Sequence, residues 1–224
     1  MAEIITPANR HLYSDLLEEM FKMRYRVAVG ELGWNIPGIK AGYDKDAFDT
    51  DETIYIVVPS DCRTKVLGCT RLNPTTGPHM LTEVFAHYCD LQPIPRSEKV
   101  YECSRYMIER KACGDRKAQT KVRQHLGLGL TEYIMSVGAT HISWLTHQAF
   151  YNHTITVFDT KPLGLPRYEA DDDADYIAAI SALNMTTWLR QRENLITDEA
   201  HTTFMARPLT PSTGWVSGDE KRAA

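Results

Sequence analysis

Residues Ala41 to Asp51 read AGYDKDAFDTD, and this acidic stretch constrains the chain around it. Four carboxylates fall within eight residues: Asp44, Asp46, Asp49 and Asp51. Carboxylates this close repel one another unless a cation, a cationic substrate or arginine side chains lie between them. A solvated acidic loop is the simplest interpretation. The alternative is that the fold brings positive charge to this loop.

The segment before the acidic loop is predicted to be a helix. Thr6 is expected to be its N-cap, and apolar residues recur at helical spacing from Pro7 to about Val29. Arg24 lies near the C-terminal end, where the helix dipole favours cations. The segment 30–51 that follows has few regular signals, and Trp34 within it favours a functional loop over a disordered one.

Two strands are expected after the loop. Thr53 to Val58 is predicted to be a buried strand, and Lys65 to Leu72 its antiparallel neighbour. Alternation places Leu67, Cys69 and Arg71 on one face. An arginine beside apolar residues on a strand face indicates a buried charge that needs a carboxylate partner.

Val100 to Ile108, VYECSRYMI, is predicted to be a central strand. Glu102 and Arg105 are three residues apart and would point to opposite faces of a regular strand. A bulge between them would turn both toward one cleft, and bulges are common beside active sites. Glu102, the three arginines and three acids of the loop, Asp44, Asp46 and Asp49, could then form one buried ionic network. A purely structural role, tying the loop to the sheet, fits the spacing equally well.

The remaining chain alternates helices and strands. A short helix or coil is expected over Met80 to Tyr88, and then in turn a helix over 115–137, a strand over 140–145, a helix over 146–158, a strand over 176–183 and a helix over 185–194. Residues beyond about Thr210 are expected to form a mobile tail. The pattern indicates one domain over residues 1–224, an α/β or α+β sandwich.

Composition excludes several classes of protein. The net charge of −4 and pI near 6.1 argue against a nucleic-acid binder. Five cysteines without a CxxC pair predict a reducing cytoplasm, and neither a signal peptide nor a membrane span is expected. His141, His147 and His153 are spaced six apart, which does not match zinc ligands on a helix, so no metal site is expected.

Taken together, these residues resemble a known family. The matching positions, in order, are Arg24, Val27, Leu32-Gly33-Trp34, Asp44-x-Asp46-x-Phe48-Asp49, Gly68-Cys69-x-Arg71-Leu72, Phe85 and Glu102-x-Ser104-Arg105. In order and spacing this run is similar to the acyl-homoserine-lactone synthases, the LuxI type of quorum-sensing autoinducer synthase. The stretch from Thr140 to Thr146 is similar to the family's acyl-pocket strand.

The resemblance implies a three-layer α/β sandwich like the GNAT acyltransferases, with a mixed central sheet and a V-shaped cleft. It also implies an acyltransferase reaction. An acyl group passes from a thioester to the amino group of S-adenosylmethionine. The methionine carboxylate then closes the lactone and methylthioadenosine leaves. Both reactants are substrates, so no cofactor is expected.

The acyl donor implied by the resemblance is either acyl-coenzyme A or acyl carrier protein. The motifs KPLGLP (161–166) and NRHLY (9–13) are similar to those of coenzyme A users, which favours acyl-coenzyme A. A basic run from Arg110 to Arg123 could hold the phosphates of coenzyme A or dock an acidic carrier protein. Its simplest interpretation is a solvated helix face.

By the same resemblance, each functional position of the family is assigned to a residue here. The catalytic positions are Asp44, Asp46, Asp49 and Glu102. The substrate-binding positions are Arg24, Ala28, Trp34, Arg71, Phe85, Arg105, Ser143 and Trp144. Asp44 stands where the family usually has glutamate, and Ala28 where it usually has an aromatic residue. Two alternatives therefore stay open: a non-catalytic relative that senses a ligand, and a GNAT-type N-acyltransferase that uses another amine.

Overall fold

Runs of β-branched and aromatic residues form a mixed sheet through the chain. The computed structural model describes residues 1–170 and 173–195, and within them the sheet has eight strands. The strands are β1 (Glu3–Ile5), β2 (Ile54–Pro59), β3 (Val66–Pro74), β4 (Val100–Ile108), β5 (His141–His147), β6 (Asp159–Pro162), β7 (Arg167–Glu169) and β8 (Ala174–Ala182). Their order is β1-β2-β3-β4-β5-β8-β6, with β7 also paired to β8. All pairs are antiparallel except β4 with β5.

Helices cover both faces of this sheet. They are α1 (Ser14–Tyr25), α2 (Met80–Glu83), α3 (Arg110–Cys113), α4 (Arg116–Ser136), α5 (Gln148–Thr154) and α6 (Met185–Asn194). On one face Met20 and Met23 of α1 share a buried cluster with Cys69 of β3. On the other face Val122 and Leu126 of α4 pack in a second cluster. The predicted three-layer α/β sandwich is therefore confirmed.

The parallel pair at the centre of the sheet separates soon after it forms. β4 and β5 are paired at three positions only, and the last joins Glu102 to Ser143. Beyond that pair β4 continues for six residues and β5 for four without pairing to each other. The predicted V-shaped cleft lies in this gap, with Glu102 and Ser143 at its apex.

A bulge in β4 changes the direction of its arginine. Arg71 of β3 pairs with Ser104, whereas Cys69 pairs with Met107, so β4 carries one extra residue over this interval. Arg105 has a backbone φ of 53°, in the left-handed region. A bulge was expected between Glu102 and Arg105; the bulge is present but lies one step later, at Arg105 and Tyr106. It turns Arg105 toward the face that carries Arg71.

The N-terminal helix begins later in the structure than the sequence predicted. Thr6 is not its N-cap, because the backbone N–H of Thr6 donates to Asn9 Oδ1 at 2.7 Å and α1 begins only at Ser14. The cause is that β1, which the sequence did not reveal, pairs with β2 and must turn before a helix can start. At its other end α1 continues into a π-helical turn over Arg26–Glu31.

Smaller differences have similarly local causes. Leu67 was expected on the face of Arg71, but it packs with the α4 cluster. Val58 pairs with Gly68 and Pro59 with Val66, which leaves Leu67 as an extra residue in β3. β4 and α6 have the predicted bounds, and the other predicted helices and strands are present with shifted ends. The tail expected beyond about Thr210 lies outside the described residues.

Gly68 sets the distance between β3 and α4, and this leads to a prediction. A Cβ at Gly68 would lie 2.7 Å from Val122 Cγ1 and 3.0 Å from the Met107 carbonyl oxygen. We expect Gly68→Ala to lower the free energy of unfolding by roughly 1–3 kcal/mol, because α4 must move away from the sheet. Urea denaturation followed by circular dichroism measures this.

The matched control is Gly30→Ala, where an added Cβ meets no atom within 4 Å. The free energy of unfolding of this variant should stay within about 0.5 kcal/mol of the unchanged protein. Equal stability of the Gly68→Ala protein and the unchanged protein would contradict the close packing described here.

Candidate active site

Arg24 reaches the acidic loop from α1. Its side chain is completely buried. Its Nε donates to Asp44 Oδ2 at 3.1 Å, while Nη1 and Nη2 donate to the two oxygens of Asp49 at 2.7 and 3.0 Å. The pair with Asp49 is bidentate, which is the strongest arrangement for an arginine and a carboxylate.

Arg71 reaches the same loop from β3. Its Nη1 lies 2.5 Å from Asp46 Oδ1 and 3.1 Å from Asp49 Oδ2. Its Nε donates to Ser104 Oγ at 3.0 Å across the strand pair. The guanidinium also lies over the ring of Phe48, 5.8 Å from the ring centroid.

Arg105 completes the set from the bulge of β4. Its Nε donates to Asp44 Oδ2 and its Nη2 to Asp46 Oδ2, both at 2.9 Å. Its guanidinium lies 5.7 Å from the centroid of the Trp34 ring. At distances of 3.1 Å or less, each of the three arginines pairs with two aspartates and each aspartate with two arginines, and Arg24 Nη2 also lies 3.9 Å from Asp46 Oδ2. These six residues form a closed ring that we call the ionic ring.

The ionic ring holds three of the four clustered acids. The fourth acid, Asp51, lies outside the ring. Its side chain is fully exposed, and its Oδ1 lies 3.5 Å from Arg10 Nη1. Within the ring the side chains of Arg24, Asp44, Asp49 and Arg71 have no exposed surface, whereas Asp46 and Arg105 keep 12% and 7%. The ring is neutral overall, and these last two side chains form its accessible edge.

The loop also holds its own shape. The backbone N–H of Asp46 donates to Asp49 Oδ2 at 2.8 Å, and that of Phe48 donates to Asp46 Oδ1 at 2.9 Å. The N–H of Asp44 donates to the carbonyl of Phe21 in α1 at 3.0 Å. Short-range bonds of aspartate side chains to the backbone are typical of tight turns, and here they set the carboxylates at the spacing of the arginines.

The charge state of the ring follows from its pairing. Burial alone would raise the pKa values of Asp44 and Asp49, but the adjacent arginines outweigh burial and hold both pKa values below the usual range. The hydroxyl of Tyr55 adds a hydrogen bond to Asp49 Oδ1 at 3.0 Å. Carboxylates in this state stay ionised and are poor proton acceptors near neutral pH.

Glu102 does not join the ionic ring, contrary to expectation. Its oxygens accept from the backbone N–H groups of Met80 at 2.8 Å and Leu81 at 2.7 Å, at the start of α2. It makes no ion pair with any residue in the described ranges. Burial raises its pKa, and the two amide bonds oppose that shift only partly. Met80 links Glu102 to the ring, because its backbone N–H bonds Glu102 and its Sδ lies 3.1 Å from Arg71 Nη2.

The two residues predicted to select the acyl group lie on opposite faces of β5. Ser143 is fully buried beside Glu102, and its Oγ has no hydrogen-bond partner among the residues described. Trp144 lies in the core on the α4 side, where Nε1 donates to Ser181 Oγ at 2.9 Å and the ring packs near Phe150 and Tyr151. Of the two, Ser143 shares a face with Glu102.

Ala28 and Phe85 lie at the margins of the site. Ala28 is fully buried in the cluster around α1, and its carbonyl accepts from the N–H of Trp34 at 2.8 Å, which holds the loop that carries the tryptophan. Phe85 is half-buried just after α2, in an apolar cluster with Leu81 and Leu145. Within residues 1–170 and 173–195, neither residue has a hydrogen bond or aromatic contact with a member of the ionic ring.

Three polar residues of the site were not predicted. Tyr55 pairs with Arg71 across β2 and β3, and a hydroxyl in the otherwise apolar run TIYIVV was the available signal. Ser104 was one of the positions matched to the family but was given no role, although it stands directly opposite Arg71. His79, fully buried before α2, stands in a turn that gave no signal of its role.

The basic run forms a separate feature. Arg116, Lys117 and Lys121, on the first turns of α4, line a cavity of about 480 Å³ together with Asn194 and Leu195 at the end of α6. The cavity lies apart from the ionic ring. In residues 1–170 and 173–195 no group of three side chains is suited to hold a metal ion, and no helix is long and apolar enough to cross a membrane.

The sequence around this site is similar to that of a known protein family. Residues 9–155 match the autoinducer synthase family. The chain is 32% identical over 174 residues to the isovaleryl-homoserine lactone synthase of Bradyrhizobium diazoefficiens, covering 74% of this chain and 73% of that protein.

Solved structures agree with this result. The structure of BjaI, a CoA-dependent acyl-homoserine lactone synthase with SAM and isopentyl-CoA, superposes with a TM-score of 0.79 at 27% identity, covering 88% of this chain and 90% of that one. A putative N-acetyltransferase from Lactobacillus plantarum, with a TM-score of 0.51 at 17% identity over 82% of this chain and 99% of its own, shares the fold alone. The expected likeness to GNAT acyltransferases is confirmed, and the chain belongs to the autoinducer synthase family.

Proposed function

We propose that this chain makes an N-acyl-L-homoserine lactone from S-adenosylmethionine and an acyl-coenzyme A, and releases methylthioadenosine. The observation that carries the proposal is the complete ionic ring beside a splayed β4–β5 pair, in a member of the autoinducer synthase family. Every residue of the ring is a position that the family resemblance assigned to catalysis or substrate binding.

The ring suits the charges of S-adenosylmethionine. The substrate carries a sulfonium, an ammonium and a carboxylate, and these need carboxylates and a guanidinium as partners. Only the edge formed by Asp46 and Arg105 keeps exposed surface, so we place the substrate there. Trp34, stacked on Arg105, would form an apolar wall of the same pocket.

Glu102 is the best proton acceptor among the four proposed catalytic acids. Asp44, Asp46 and Asp49 are each bonded to two arginines, whereas Glu102 is held by amides and burial raises its pKa. A raised pKa brings a carboxylate closer to the value that suits a general base near neutral pH. We assign it the removal of a proton from the substrate ammonium, directly or through a water.

The two chemical steps then follow in order. The free amine attacks the thioester carbonyl, the C–S bond breaks, and the thiolate leaves as a thiol after taking a proton. The methionine carboxylate next attacks its own γ-carbon, and the bond to the sulfonium sulfur breaks to give neutral methylthioadenosine. That second step removes a positive and a negative charge together, so a site that excludes water favours it.

The alternatives have lost their main support. A non-catalytic relative was suggested by Asp44 in place of glutamate, but Asp44 reaches both Arg24 and Arg105 at bonding distance. The π-helical turn buries Ala28 without leaving the loop unsupported, since its carbonyl still holds Trp34. A different amine substrate would not require the paired charges of the ring edge.

The donor and the compartment complete the proposal. Similarity to a CoA-dependent synthase supports acyl-coenzyme A over acyl carrier protein. The basic cavity between α4 and α6 would suit the phosphates of coenzyme A, which are anionic. We also propose that the enzyme works in the cytoplasm, where five free cysteines would stay reduced. We propose neither a nucleic-acid or membrane partner nor a resident cofactor.

One assay tests the proposed reaction and its acyl donor together. Purified protein is incubated with S-adenosylmethionine and matched acyl-coenzyme A and acyl-carrier-protein donors carrying short, branched and aryl acids. We expect methylthioadenosine and lactone in equal amounts, with higher kcat/KM for the coenzyme A donors. Absence of methylthioadenosine with every donor would refute the reaction, and a consistent preference for carrier protein would refute the donor.

The second prediction concerns the ionic ring. We expect Asp46→Asn and Arg71→Ala each to lose most turnover while the protein stays folded, because a lost charged contact in a desolvated site costs on the order of 2–5 kcal/mol. Lactone formation and circular dichroism are measured on the same samples. Asp51→Asn is the matched control, since this fully exposed aspartate belongs to the same loop but not to the ring. Near-normal synthesis by either ring variant would contradict the assignment.

The third prediction concerns acyl selection. We expect Ser143→Gly or Trp144→Ala to change the ranking of acyl donors, because each removes side-chain volume beside the β4–β5 apex. Ser143→Gly should act with little loss of stability, whereas Trp144→Ala also removes a core ring. Competition between mixed donors gives the ranking. If both variants keep the original order, the acyl pocket lies elsewhere.

A further inference from the structure

His79 is a buried polar side chain that the proposed reaction does not use. It has no exposed surface, and its Nδ1 lies 2.9 Å from the carbonyl oxygen of Gly77. A carbonyl oxygen can only accept, so Nδ1 carries the proton in this bond. Nε2 is buried and has no partner among the described residues. Nδ1 therefore anchors the imidazole.

His79 directly precedes the two residues whose backbone N–H groups hold Glu102. His79 is the N-cap residue of α2, and the next two residues, Met80 and Leu81, donate the N–H groups that hold Glu102. The hydroxyl of Thr82 donates to the His79 carbonyl at 2.8 Å and tightens the same turn. α2 has only four residues, so its own length does little to fix where its first N–H groups point.

We propose that His79 is a positioning residue for Glu102. Its Nδ1–H bond to Gly77 fixes the start of α2, so that the Met80 and Leu81 N–H groups hold the Glu102 carboxylate at the apex of the β4–β5 cleft. The functional part of this inference rests on the proposed role of Glu102 in lactone synthesis. The structural part, that His79 controls the environment of Glu102, does not depend on that role.

The groups that face Glu102 determine what a change at His79 would do. They are the guanidinium of Arg71 from β3, the imidazole of His79, and the thiols of Cys89 and Cys103. The amide bonds from Met80 and Leu81 oppose the effect of burial on the pKa of Glu102. If the start of α2 loosens, those bonds weaken and burial raises the pKa further. A base that must be deprotonated then works only at higher pH.

The test compares two substitutions at this position. Asn places an N–H where Nδ1–H stands in His79, so His79→Asn can keep the bond to Gly77, whereas His79→Ala cannot. We expect His79→Ala to lower kcat/KM on the order of tenfold, mainly through kcat, with the acidic limb of the pH profile moved upward. His79→Asn should stay close to the unchanged protein. His87→Asn, at an exposed position just after α2, is the control.

A second measurement is independent of catalysis. Protein labelled with ¹³C at the glutamate carboxyl is titrated by NMR, and Glu102 is assigned by its absence from Glu102→Gln. The Glu102 titration should move further toward higher pH in His79→Ala than in His79→Asn, because both variants lose the imidazole that lowers this pKa but only His79→Ala also loses the bond to Gly77. If His79→Ala does not fold, His79→Gln replaces it, because its longer amide cannot occupy the Nδ1 position.

The outcomes separate the two proposals. An unchanged Glu102 titration in His79→Ala, or an equal shift in His79→Asn, would overturn the positioning role. Failure of the unchanged protein to make lactone would count against the proposed function only, and the NMR titration would still decide the role of His79.

Discussion

Three guanidinium groups and three carboxylates share a volume from which water is almost excluded. Each member of the ionic ring bonds to two members of opposite charge, so the ring satisfies both the charges and the hydrogen bonds of buried groups that would be costly alone. The arginines come from α1, β3 and β4, and the acids all come from the loop 44–49. The ring therefore helps to fix the placement of that loop over the sheet, together with the loop's own backbone bonds.

A neutral ring changes how the acids act on a substrate. None of the three aspartates offers a free negative charge, because arginines already compensate it. A cationic substrate can only be received where the ring meets open space, at Asp46 and Arg105. Glu102 stands apart from this charge balance and is controlled by backbone amides. Binding and proton transfer are thus assigned to groups whose electrostatic environments are set independently.

The sequence was sufficient for features that depend on local pattern. Alternation and spacing predicted the central strand, the bulge that redirects Arg105, and the meeting of arginines with the acidic loop. Charge and spacing alone did not separate Asp51 from its three neighbours, and only the family resemblance left it out of the site; the turn of the backbone directs it to solvent. The partners of Glu102 were also hidden, since they are backbone N–H groups and leave no mark in side-chain identity. β1 has three residues, which are too few to show the alternation of apolar and polar residues that marks a strand.

The order in which the ionic ring can form follows from where its members stand in the chain. Arg24 is 20 residues from Asp44, but Arg105 is 61 residues from it. Contacts of such long sequence separation form late in folding, since loop closure must come first. Until β3 and β4 have paired, Asp44 and Asp46 lack Arg105 and the ring stays open. A partly folded enzyme with a working substrate pocket is therefore not expected, because the ring closes only when α1, the acidic loop, β3 and β4 have all come together.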